Sequence, residues 1–159
     1  LGELVREVNQ GGIFFLFLAS GIVFSRIRSG RLVDRGHLHN VVVVAISLIS
    51  IGFTGFALVK DVYFYSISAF VLGIGYGTLL PALQTIYINM APHTKRGTAN
   101  STYLTGFDVG IGSGMLLGAY VSEKVGFSNM YLLTAALSIA ALAIYWFNSR
   151  KVYERNKLV

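Results

Sequence analysis

Five apolar stretches follow one another along this chain, at residues 8–27, 38–59, 63–90, 98–122 and 127–147, parted only by short polar breaks. Each is about as long as the roughly 20 residues an α-helix needs to cross a hydrocarbon layer about 30 Å thick. A soluble domain of 159 residues can bury one core, but it cannot hide several such runs in succession. The composition is 54% hydrophobic and 13% charged, well under the roughly 25% charged residues of an ordinary soluble domain. The expected fold is all-α: a polytopic transmembrane bundle of about five spanning helices, with the lipid bilayer as its main partner.

The net charge of +6 raises nucleic acid as a partner. No basic stripe carries interleaved aromatics, so the charge is better read through the tendency of Lys and Arg to collect in cytoplasmic loops. There is no cysteine, which excludes disulfides and thiolate metal sites. Neither a metal nor a cofactor is expected. The chain begins at Leu1 rather than Met and no leader-like pattern opens it, so it reads as a fragment.

Alternate breaks between spans must lie on opposite sides of the membrane. Placing the loop 26–39, the loop 91–97 and the tail 148–159 together collects Arg26, Arg28, Arg31, Arg35, Lys95, Arg96, Arg150, Lys151, Arg155 and Lys157 on one side, ten of the 13 basic residues. Arg6, Lys60 and Lys124 fall opposite. The expectation is a cytoplasmic tail and an outside N-terminal stub. Tyr63, Phe64 and Tyr65 open one span and Tyr145, Trp146 and Phe147 close another, where amphipathic rings favour the headgroup layer.

Asp108 is the one acid deep in an apolar stretch. Counted from Thr98 it lies roughly 15 Å into its span, near the bilayer midplane. A central Asp costs about 2.5–3.5 kcal/mol on insertion scales, so it should face protein or a wet cavity. It is a functional candidate, the alternative being a protonated or neighbour-bonded acid that ties helices together. Gly106, Gly110, Gly114 and Gly118 recur every four residues as a small-residue stripe suited to close helix packing. At 100° per residue, Ser101, Thr105, Asp108 and Gly112 share the opposite face. Such a two-sided helix suits a cavity wall.

The third stretch carries Gly73, Gly75 and Gly77, with Gly73 and Gly77 as packing candidates, and then Pro81, which predicts a bend. Tyr76, Leu80, Gln84 and Tyr87 share one broad face. A buried Gln must be paired, so Gln84 either binds a solute or bonds a neighbouring helix. The GxGxG spacings at 73–77 and 110–114 superficially echo nucleotide loops, but neither follows a strand and opens a helix, and both sit inside spanning segments. His37 and His39 fall in a basic loop, where two His alone make no zinc site.

Gly30, Leu32, Asp34 and Arg35 in the first basic loop resemble the GxLxDR signature of the major facilitator superfamily. The basic end departs from it, because His37, Leu38 and His39 stand where further Gly and basic residues are usual. Residues 73–81, then Arg96, Gly97, Thr98 and Ala99, then Asp108, Val109, Gly110, Ile111 and Gly112 with Gly118, then Gly126 and Phe127, resemble in their order the tenth to twelfth helices of that superfamily, particularly its efflux members. The resemblance covers nearly the whole chain. It implies the C-terminal half of a twelve-helix transporter, helices eight to twelve, with the N-terminal half and seventh helix elsewhere.

That resemblance implies a secondary active transporter, not an enzyme: proton-coupled efflux of a small, amphipathic molecule by alternating access about a midplane site. Asp108 would be the proton-coupling or substrate-facing group. Tyr76, Gln84, Tyr87, Ser101 and Thr105 are the cavity candidates, and Gly30, Arg31, Asp34 and Arg35 the cytoplasmic gate. The implied partners are a small-molecule substrate, protons and the absent half. The alternatives are an importer of a sugar or other metabolite and, further off, a membrane-embedded enzyme, for which no acid, base or metal set is present.

Overall fold

The computed structural model describes residues 12–27, 37–58 and 61–158. They form α1 (Gly12–Ile27), α2 (Leu38–Leu58), α3 (Val62–Asn89), a short 3-10 turn (His93–Lys95), α4 (Arg96–Ile144), a π-helical turn (Tyr145–Ser149) and α5 (Arg150–Asn156). No strand occurs among the described residues. The fold is the all-helical bundle that the sequence dictates, and large apolar side chains such as Phe15, Ile51, Leu116 and Leu137 point outward, as they do where lipid is the solvent.

Local chemistry sets the boundaries. Asp61 caps α3, its carboxylate accepting a hydrogen bond from the backbone N–H of Tyr63 at 2.8 Å, where a negative charge also suits the helix dipole. The helix then runs unbroken through Pro81 for 28 residues. Thr85 donates its hydroxyl proton to the Pro81 carbonyl at 2.8 Å. α4 is two spans joined at one residue. Gly126, at φ 83 and ψ 161, sits in a region that favours glycine and divides α4 into a first arm, 96–125, and a second arm, 127–144.

The helices alternate in direction. Gly73 and Gly77 bring α3 against α1: a Cβ on Gly73 would collide with the Leu18 carbonyl oxygen and approach the Gly21 Cα at 3.1 Å, and one on Gly77 would lie 2.8 Å from the Ile22 Cα. Gly75 faces the other way, where a Cβ would stand 2.6 Å from Ile49 of α2. The GxGxG run is thus a two-sided packing surface that places α3 between α1 and α2. The second arm of α4 lies antiparallel along α2. Ser128 donates to the Ala57 carbonyl at 2.5 Å, Tyr131 packs on Phe53 and Phe56, and Tyr145 meets His39.

Two cores result. One comprises Ile49, Phe56, Ala69 and Leu72, extended by Phe14, Tyr65 and Tyr131; the other, toward the opposite end, joins Leu38, Val42, Ile46, Ala82, Ile86, Tyr145 and Tyr153. Two of the rings assigned to the headgroup layer therefore fill packing space instead. Tyr65 stacks 4.4 Å from Phe56 and Tyr145 is only 6% exposed, whereas Tyr63, Phe64, Trp146 and Phe147 do point outward. The alternation brings Ile27, Leu38, Asn89 to Lys95 and the tail to one end of the bundle, with Lys124 at the other.

Candidate functional site

The first arm meets α3 along a short seam. Tyr103 donates its hydroxyl proton to the Leu80 carbonyl at 2.9 Å, and its ring stands 5.6 Å from that of Tyr87 and 6.4 Å from Phe107. Gln84 Nε2 donates to Asn100 Oδ1 at 2.6 Å. Of the two roles open to Gln84, the structure shows the interhelical bond. Because Tyr103 and Phe107 define the side of the arm turned to α3, Asp108 lies about 100° round from Phe107, and Ser101 and Thr105 further round still. All three are exposed.

The glycine stripe continues the Tyr103 side, but beyond Phe107 the arm diverges from α3. A Cβ on Gly106, Gly110 or Gly114 would meet nothing within 4 Å among the described residues, and one on Gly118 would meet only Met130 of the second arm, at 3.7 Å. Of the six glycines expected to pack, Gly73 and Gly77 are the ones closely engaged among the described residues. A cavity of about 590 Å³ lies beside the seam, between the end of α3, residues 102–107 of the first arm, the end of the second arm and α5. Tyr87, Tyr103, Phe107 and Tyr145 give it aromatic walls, Gly106 leaves it room, and Thr102, Asn148 and Ser149 add uncharged polar groups. A second cavity of about 420 Å³ lies on the α2 side, lined by Tyr76, Ile46, Ile49 and Ala141, and it shares Leu83, Ile144, Tyr145 and Ser149 with the first.

Of the cavity candidates, then, Tyr87 lines the larger space and Tyr76 the smaller, Gln84 is spent on Asn100, and Ser101 and Thr105 look outward. The gate residues Gly30, Arg31, Asp34 and Arg35 lie outside the described residues. Tyr103 and Phe107 were not singled out from the sequence, and Tyr145 was assigned there to the headgroup layer rather than to a cavity wall. The pair Tyr103 and Phe107, four residues apart and flanking Gly106, is the signal that could have found them.

The tail differs from a solvated segment. Residues 150–156 continue as helix, and Tyr153 is 7% exposed. His39 is likewise not a loop residue: it sits in the first turn of α2 with its side chain 13% exposed. An ionised carboxylate can only accept, so His39 Nε2 donates to Glu154 Oε1 at 2.8 Å, and Nδ1 shares a 2.7 Å hydrogen bond with the Tyr145 hydroxyl. Lys157 Nζ donates to the other Glu154 oxygen at 2.7 Å. The Lys157 bond, and then that from His39, hold the Glu154 carboxyl below its ordinary range. The contribution of this depressed group is present above the usual carboxylate range and is lost only as pH falls through its lowered value, so the cluster is intact at neutral pH. Among the described residues no group of three acidic or imidazole side chains could hold a metal ion.

The model of the family described as Major Facilitator Superfamily matches residues 5–158. Among curated proteins, a protein named Multidrug resistance protein MdtG from Yersinia enterocolitica is 32% identical over 152 residues, covering 89% of this chain and 36% of that protein. Its namesake from Dickeya zeae is 31% identical over 133 residues, covering 84% of this chain and 33% of that protein. A third, from Erwinia billingiae, is 28% identical across 99% of this chain. The chain thus spans little more than a third of the curated relatives it matches, and no solved structure gives a significant match.

Proposed function

The chain belongs to the major facilitator superfamily, and from that premise we propose that the intact protein is a proton-coupled exporter of small amphipathic molecules, of which this chain supplies helices eight to twelve. One observation carries the reading. The first arm packs on α3 by its Tyr103 side and leaves Ser101, Thr105 and Asp108 exposed on another, in a segment long and apolar enough to lie in a bilayer. A carboxyl there cannot face lipid, so this face lines a wet path shared with the other half of the transporter. The two halves rock about that path in alternating access. The relatives' name, Multidrug resistance protein MdtG, supports drugs as the substrates, and resistance to them is what export would give.

The end holding Arg26, Lys95, Arg96, Arg150, Lys151, Arg155 and Lys157 is cytoplasmic, by the bias of basic residues. An impermeant thiol reagent applied to intact cells should label Lys124→Cys and spare Asn156→Cys; the reverse pattern would invert the topology. The transport reading is tested with the full-length protein in proteoliposomes loaded with ethidium. An imposed pH gradient should drive dye movement that a protonophore abolishes. Dye movement indifferent to both would sink proton-coupled export.

A further inference from the structure

We propose that α5 is a latch on the larger cavity, that His39 is the positioning residue that sets it, and that the transporter releases this latch in each cycle. The last clause rests on the transport reading; the latch itself does not.

The geometry is convergent. α5 is joined to the second arm by the π-helical turn Tyr145–Ser149, and Tyr145, Asn148, Ser149 and Val152 form one wall of the cavity. That wall is held by bonds to two other helices. From α2, His39 grips both ends of the segment at once, Tyr145 at its start and Glu154 near its close, while its ring stands edge-on to Tyr153 at 5.3 Å. From the end of α3, Asn89 donates to the Tyr153 hydroxyl at 3.2 Å and accepts from the Leu158 backbone N–H at 2.9 Å. The attachment combines polar bonds at a partly exposed end, where Glu154 is about half exposed, with burial of the Tyr145 and Tyr153 rings against Leu38, Val42 and Ile86. The polar bonds exchange readily for bonds to water, so the cost of opening lies chiefly in exposing the Tyr153 ring. Tyr145 also lines the smaller cavity, so its bond to His39 fixes the hydroxyl of the ring that stands between the two spaces.

The test uses the full-length protein, freed of other cysteines, with nitroxides on Asn40→Cys and Arg155→Cys, two exposed positions on α2 and α5. Pulsed electron resonance should give one narrow distance in the resting protein. His39→Ala should add a longer, broader population as large as the first. The swap His39→Glu with Glu154→His should restore the single distance, which a merely space-filling His39 would not allow. Should His39→Ala fail to fold, Glu154→Gln on the exposed partner carries the same comparison. A reversible cross-linker joining the two cysteines should reduce ethidium export several-fold, with recovery on reduction. An unchanged distance in the variants, or full export by the cross-linked protein, overturns the proposal. A wild-type protein that moves no dye sinks the transport reading instead, and the distances still decide the latch.

Discussion

Gly73→Leu and Gly77→Leu sharply destabilise the folded protein, because both glycines lie where α3 crosses α1. At Gly73 the atoms that a side chain would strike are backbone of α1, the Leu18 carbonyl and Gly21 Cα; at Gly77 they are the Ser25 hydroxyl and, behind it, the Ile22 backbone. A flexible side chain could turn aside, but backbone can yield only if two whole helices separate. Overpacking of an ordinary core costs about 1–3 kcal/mol, and here the loss extends to every contact along the crossing, so about 3 kcal/mol or more is expected. Gly97→Leu is the control, because a Cβ there meets nothing within 4 Å. Size-exclusion profiles and detergent melts should show aggregation or a fall of about 10 °C for the first two and little change for Gly97→Leu. Equal melting of all three would mean that α1 and α3 do not cross at these glycines.

Asp108→Asn abolishes uphill transport while leaving the protein folded. The substitution keeps shape and hydrogen-bonding capacity and removes only the titratable proton. Because Asp108 lies away from the Tyr103 seam, and the structure gives it no role in joining α3 to α4, the melting temperature should match that of wild type. Substrate-driven proton flux in proteoliposomes should fall to background, and exchange without a gradient should persist, since substrate binding does not require the charge. Wild-type pH dependence in the variant would remove Asp108 from the coupling role; failure to fold would make it a helix tie.

The spanning helices were legible because apolar run length is a direct consequence of bilayer thickness. The expected 38–59 and 63–90 stand against the observed Leu38–Leu58 and Val62–Asn89. Gly73 and Gly77 were legible as packing residues for a related reason: nothing else in an apolar helix calls for that many small residues. The tail was not legible. It was read only as a polar, cytoplasmic tail, but helix formation needs no apolar run, and the buried Tyr153 ring helps to dock α5. His39 was unreadable for a different reason. Its partners Tyr145 and Glu154 lie more than 100 residues away in sequence, and only the antiparallel run of the second arm along α2 brings them to it. The larger cavity required knowing that the end of the second arm and α5 come to face the seam of α3 and the first arm, a property of the packing that no periodicity encodes.

Gly126 has a mechanical consequence. It is a joint of one residue, with two soft dihedrals, between an arm that carries Asp108 and an arm that ends in Tyr145. Such a joint has almost no slack. A tilt of the first arm is either absorbed by torsion at Gly126 or carried across it as leverage on the second, so the joint is placed as a fulcrum between Asp108 and the ring that His39 holds.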